Sequence, residues 1–183
     1  MKKVILILLI LGIAGIPASS YALKLFGIGP RGGYYKAQEA ESGKMYVGAT
    51  ARFKLAALGF EGAIDYRSEE YANGNVKVSS WPVSASVLLY PLPIVYGIAG
   101  FGWYNSTIEY SSNLPTLLTP KSETEQQIGY HFGGGVELPL SSAMSIAADI
   151  RYVYLDYQFD STSSGQKVKS DFYAITLSMF WGF

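Results

Sequence analysis

One histidine, His131, stands in a chain of 183 residues that has no cysteine. A single imidazole excludes multi-histidine metal centres, and the missing thiols exclude disulfides, thiolate metal sites, a nucleophilic Cys and a lipidated Cys. His131 is left as the one histidine for general-base work, with Glu137 and Asp149 as the carboxylates that could serve as an acid and base pair. Five cations, Arg31, Arg52, Lys54, Arg67 and Arg151, accompany five acids, Glu61, Asp65, Glu109, Glu137 and Asp149. Salt bridges explain a matched set of that kind more simply than catalysis does, because a buried charge persists only when paired. Gly27, Gly29 and Gly32 spell the dinucleotide fingerprint, yet Pro30 interrupts it and no helix follows to present amides to a pyrophosphate. No cofactor or metal is implied, and no enzyme site emerges.

The elements that hold these residues follow from composition and period. Lys plus Arg equals Asp plus Glu at 14 each, so no basic excess exists to draw in nucleic acid. Charged residues make up only 15%, against ~25% in soluble domains, while aromatics reach 15% with 15 Tyr. Lys2 and Lys3 precede an apolar run from Val4 to Ile16, and Pro17 breaks it before Ser20, Tyr21 and Ala22. That pattern reads as a signal peptide over 1–22, leaving 23–183 as one domain. The run falls short of the ~20 residues that a spanning helix needs. An apolar chain with no second long run can meet lipid only as a closed barrel, which satisfies its own backbone hydrogen bonds.

Alternation with period two runs through almost the whole of 23–183. Met45, Val47, Ala49, Ala51, Phe53 and Leu55 oppose Tyr46, Gly48, Thr50, Arg52 and Lys54. Phe60, Ile64 and Tyr66 oppose Glu61, Asp65 and Arg67; Trp81, Val83, Ala85, Val87 and Leu89 oppose Ser80, Ser84 and Ser86. Ile128, Tyr130, Phe132, Val136 and Leu138 oppose Gln127, His131 and Glu137, and Met144, Ile146, Ala148, Ile150, Tyr152 and Tyr154 oppose Ser145, Asp149 and Arg151. Two further strands have weaker phase, Phe26 to Lys36 and Ile94 to Tyr110; Arg31, Asn105, Thr107 and Glu109 are assigned to the polar face. With the strand at Tyr173 to Phe183 the count is eight, an even number as single-chain bacterial barrels require. The predicted fold is all-β, a single eight-stranded antiparallel up-and-down transmembrane β-barrel.

Connections alternate in length. Ala56 to Leu58, Pro91 to Pro93 and Pro139 to Ser142 are short turns, whereas Ala37 to Lys44, Ala72 to Asn75, Ser111 to Thr124 and Asp160 to Val168 are longer polar links. Outer-membrane barrels keep short turns in the periplasm and long loops outside. The longest link carries Leu114, Pro115, Leu117 and Leu118, apolar residues that either pack on other loops or contact a partner.

The alternation fits a water-filled exterior as well as a lipid-filled one, so the orientation needs its own argument. In a secreted soluble barrel the polar face would carry Lys, Glu and Asn freely; here it is largely Gly, Ala, Ser and Thr, which suit a crowded interior. The balanced charges then form a lumen network of Arg31, Arg52, Lys54, Glu61, Asp65, Arg67, Glu109, His131, Glu137, Asp149 and Arg151. Aromatics gather toward two rims, with Phe26, Phe53, Phe60, Tyr96, Trp181 and Phe183 at one and Tyr34, Tyr66, Trp81, Tyr110, Tyr152, Tyr154 and Tyr173 at the other. Two girdles match the two interfaces of a bilayer.

The terminal alternation of Tyr173, Ile175, Leu177, Met179, Trp181 and Phe183 resembles the C-terminal signal of Gram-negative outer-membrane barrels. In those proteins the barrel-assembly machinery reads it. Arg31, the run Gly133, Gly134, Gly135 with Glu137, and Asp149, Arg151 and Tyr152 resemble the OmpA-like transmembrane domain and the opacity-type outer membrane barrel, with the resemblance confined to the barrel. It implies the outer membrane of a Gram-negative cell, with lipid and lipopolysaccharide as surroundings. Lipid A deacylase barrels resemble this fold too and use a lipid-facing His with a nearby Ser, but Gly133 stands two residues after His131, and His131 falls on the lumen face. The leading expectation is a non-enzymatic scaffold whose loops bind a surface ligand, with Leu114, Leu117 and Leu118 as candidate contacts. A narrow conduit for small solutes or hydrophobic compounds is the second reading, and a lipid A-modifying enzyme the third.

Overall fold

The computed structural model describes residues 25–37, 43–71, 76–110, 124–158, 167–169 and 171–182. Their strands are β1 (Phe26–Ala37), β2 (Lys44–Leu55), β3 (Leu58–Tyr71), β4 (Val76–Ser80), β5 (Val83–Leu92), β6 (Val95–Tyr110), β7 (Thr124–Pro139), β8 (Met144–Tyr154), β9 (Asp156–Gln158), β10 (Lys167–Lys169) and β11 (Phe172–Gly182). β1 pairs antiparallel with both β2 and β11, and the chain of pairings from β2 through β3, β5, β6, β7 and β8 returns to β11, so the sheet closes on itself. Closure leaves the barrel wall no free edge.

The sheet has nine strands, but β4 and β5 form a single stave. Arg67 pairs with Ser80 and Ile64 with Val83, so the register passes unbroken across Trp81 and Pro82. Asp65 N–H donates to Pro82 O at 2.9 Å, and Trp81 N–H donates to Asn105 O at 2.9 Å. Pro82 has no N–H to return, which interrupts the ladder without shifting it. The fold is therefore an eight-stave antiparallel barrel, as expected, and the described residues contain no helix. No helix among them is long and apolar enough to cross a membrane, a criterion that does not bear on strands.

The three short turns and both ends of the barrel chain lie at one end of the cylinder, here named the turn end. At the opposite, loop end, β9 and β10 pair as a separate two-stranded ribbon. It falls partly within Asp160 to Val168, where the sequence suggests only a polar link. The β2–β3 turn is two residues long, and Ala56 adopts φ 55° there.

Hydrophobic patterning has the expected sense on most staves. Met45, Val47, Ile128, Tyr130, Ile150 and Leu177 are exposed on the outside, whereas Thr50, Arg52, Glu61, Asp149 and Thr176 are buried inside. β6 departs from expectation. Its inward residues are Tyr96, Ile98 and Tyr104, all buried, while Asn105 and Thr107 share parity with the exposed Phe101 and Trp103 and face outward. Tyr and Ile fill lumen volume left by glycines on β7. The outward polar residues come only after Trp103, where the stave nears the loop end. Glu109 follows Thr107 at the same parity, with its side chain outside the described residues. Tyr96, expected in a rim girdle, is instead 1% exposed in the lumen.

Candidate functional site

The charged side chains converge because alternate residues of five staves, β1, β2, β3, β7 and β8, point to one axis. Arg52 on β2 is the hub. Its Nε donates to Glu61 Oε2 at 3.0 Å on the neighbouring β3, and its Nη1 donates to Glu137 Oε2 at 2.7 Å on β7. The Arg52 guanidinium carbon also lies 4.5 Å from the Phe180 ring centroid and 4.8 Å from that of Tyr96. Glu137 further receives Lys54 Nζ at 2.5 Å, Tyr90 OH at 2.8 Å and Ser145 Oγ at 3.0 Å.

A second node lies toward the loop end. Arg151 on β8 donates through Nε to Asp149 Oδ1 at 2.6 Å and through Nη2 to Glu61 Oε1 at 2.8 Å. Tyr96 OH donates to Asp149 Oδ2 at 2.9 Å. Arg31 on β1 stands 3.5 Å from Glu61 and 2.9 Å from Asp65. Glu61 thus faces three arginines. Dehydrated charges of this kind persist only with such partners, since an isolated buried ion costs several kcal/mol.

Of the residues assigned to the network, the structure joins Arg31, Arg52, Lys54, Glu61, Asp65, Glu137, Asp149 and Arg151 through ion pairs. Arg67 is different. Among the described residues no carboxylate pairs with it; its guanidinium carbon lies 4.3 Å from the Tyr35 centroid and 4.8 Å from that of Phe172, with Tyr104 and Tyr46 at 5.6 and 5.8 Å. The negative faces of those rings stand in for an anion. Among the described side chains the five cations meet Glu61, Asp65, Glu137 and Asp149; the side chain of Glu109, the fifth acid, lies outside them.

Sequence reasoning placed Ser86 and Ser145 on the polar face without naming them in the network, and missed Tyr90 and Tyr96. Parity was the available signal for Tyr90, Ser86 and Ser145, because each alternates with lipid-facing neighbours. Space for Tyr96 comes from Gly135, where a Cβ would fall 2.8 Å from the tyrosine ring and 2.6 Å from Asp149 Cβ.

His131 lies in the lumen as expected, with Nε2 2.8 Å from Ser86 Oγ. A Ser and a His at that distance have the spacing of a nucleophile and its base. Both are buried, and no carboxylate among the described residues hydrogen-bonds the ring. With no open face toward lipid, the contact satisfies two buried polar groups.

Two apolar clusters cap the ionic middle: Leu88, Tyr96, Ile98, Ala147 and Phe180 toward the turn end, and Tyr104, Val153, Leu155, Phe172 and Ala174 toward the loop end. No group of three or more metal-ligating side chains occurs among the described residues. Outside, Phe132, Tyr152, Tyr154 and Tyr173 form a continuous ring patch, with Tyr152 centroids 4.6 Å from Tyr154 and 4.7 Å from Tyr173. Tyr66 and Trp81, 4.5 Å apart, continue the band on another side. In β11, Tyr173, Ile175, Leu177 and Trp181 are exposed along the same outer face, with Met179 half-buried beside them. Phe183, Tyr110 as a side chain, the segment of Leu114, Leu117 and Leu118, and residues 1–22 lie outside the described residues.

Several solved structures share this architecture. Neisserial surface protein A aligns with a TM-score of 0.58 at 14% identity, covering 86% of this chain and 97% of that one. A major outer membrane protein from Thermus thermophilus gives 0.57 at 16%, covering 89% and 100%. Ail, the attachment invasion locus protein of Yersinia pestis, in complex with the heparin analogue sucrose octasulfate, gives 0.52 at 15%, covering 86% and 96%. At these identities the likeness shows the fold. None of the curated proteins compared matches the chain. The outer membrane protein beta-barrel domain family matches residues 5–182, and with a closed barrel, an apolar exterior and an ionic interior the chain belongs to that family of outer-membrane proteins.

Proposed function

We propose that this protein is a non-enzymatic outer-membrane scaffold whose four long connections at the loop end contact a surface ligand. One observation carries the reading: Arg52 joins β2, β3 and β7 across the lumen, so the interior is occupied by the side chains that hold it together. An eight-strand barrel is only just wide enough for its own side chains, which favours a ligand outside the lumen over one within it. Deleting Leu114 to Leu118 tests the loop role. Weaker binding of the purified protein to host cells or matrix, with the barrel still folded, is the expected result; unchanged binding rejects it.

A narrow conduit is the second reading. Steady single-channel conductance in a planar bilayer, altered by Glu137→Ala, would favour it over the scaffold. Three finer readings accompany the proposal: residues 1–22 as a cleaved signal peptide, the outward face of Tyr173 to Phe183 as the signal read by the barrel-assembly machinery, and closer kinship to the OmpA-like and opacity-type barrels. Lipopolysaccharide is the expected neighbour of the Tyr152 patch at the loop end. Mass spectrometry of the N-terminus of protein taken from outer membranes distinguishes cleavage after Ala22 from an intact leader.

A further inference from the structure

Among the described residues five buried side-chain nitrogen or oxygen atoms lack a hydrogen-bond partner, and four of them belong to residues lining one cavity: Arg31 Nε and Nη1, Asp65 Oδ1 and Arg67 Nε. The cavity lies in the loop-end half of the lumen, with a volume of about 20 Å³, and Tyr46, Tyr104 and Phe172 also line it. Roughly 10–15 Å³ suffices for one water-sized occupant. We propose that this cavity is a binding site for one monovalent, halide-sized anion held between Arg31 and Arg67.

Charge favours an anion over water. Arg151, also in the wall, is committed to Asp149 and Glu61. Asp65 is taken by Arg31, whose Nε stands 2.9 Å from Oδ1 without the alignment of a hydrogen bond. Among the described residues that leaves Arg67 as the lumen cation with no ion pair, its guanidinium set over the rings of Tyr35 and Phe172. Of the three N–H groups without an aligned hydrogen bond, Arg31 Nε and Nη1 stand against Asp65 and Glu61 in ion pairs, and Arg67 Nε has no such partner among the described residues. Water in the cavity would leave that positive charge in place, whereas a halide neutralises it. Asp65 faces the same space and repels the anion, which weakens its hold. The bound ion would tie β1 to β3 beneath the aromatic cap of Tyr35 and Phe172.

The test uses the purified protein in detergent micelles. At constant ionic strength, the urea unfolding midpoint is expected to rise and saturate with sodium chloride or bromide but not with sodium gluconate, whose anion is too large for the cavity. Arg67→Met should abolish that response. Should Arg67→Met fail to fold, Asp65→Asn serves instead and should lower the half-saturating chloride by roughly fivefold, the like charge having been removed. Bromide-soaked crystals should show an anomalous peak between Arg31 and Arg67. Equal midpoints in chloride and gluconate would overturn the proposal, as would ordered water without anomalous signal in the cavity. A peak with no effect in solution would mark an adventitious ion only and overturn it too.

Discussion

Arg52 Nη1 lies 2.7 Å from Glu137 Oε2, although 85 positions separate the two residues and their staves are not neighbours in the wall. The contact spans the lumen, so it forms only when the barrel closes. Its partners make it hard to replace: Glu61 binds the same guanidinium, and Lys54, Tyr90 and Ser145 bind the same carboxylate.

Arg52→Met removes the hub and leaves Glu61 and Glu137 each short of a cation. A loss of about 3–5 kcal/mol is expected in urea unfolding from lipid vesicles. The double variant with Glu137→Gln should lose less than the two single losses combined, since the residues share one interaction. Additive losses would show that the contact carries no coupling.

Ile150→Arg and Asn105→Arg test depth and facing together. Ile150 is exposed in the middle of β8, and arginine there should cost about 2–4 kcal/mol in lipid. Asn105 faces outward beyond Trp103 near the loop end, where arginine should cost roughly 0–1 kcal/mol. Were Asn105 inside the lumen, the same change would overpack it, and the two costs would not separate.

Ala56→Gly relieves a left-handed residue in the two-residue β2–β3 turn, where φ is 55°. The variant should gain roughly 1 kcal/mol, because glycine adopts this conformation without a Cβ clash. Measured unfolding free energy that falls instead would place the strain elsewhere.

Gly100→Val should destabilise by about 1–3 kcal/mol through overpacking. A Cβ at this position would already sit 2.8 Å from His131 Nε2. The companion variant Gly97→Val, on the outward side of the same stave where nothing stands within 4 Å, should be nearly neutral. Equal losses for the two variants would contradict the assigned facing of β6.

The barrel class, the number of staves, their order of short and long connections, and the facing of most of them follow from the sequence alone. Period-two alternation is a local property, and each of Arg52, Glu61, Asp65, Glu137, Asp149 and Arg151 declares its side by its neighbours, whereas glycines and a proline surround Arg31. β6 resisted because both of its faces are apolar up to Trp103, so alternation had no contrast to read. Its phase is decided by glycines on another strand, as Gly135 beside Tyr96 shows. Partnership is likewise a tertiary outcome. Nothing local distinguishes Arg67, which stacks on Tyr35 and Phe172, from Arg52, which meets two carboxylates. Side-chain direction is set by the backbone pleat within a few residues, whereas which opposite charges meet depends on closure and stagger of the whole cylinder.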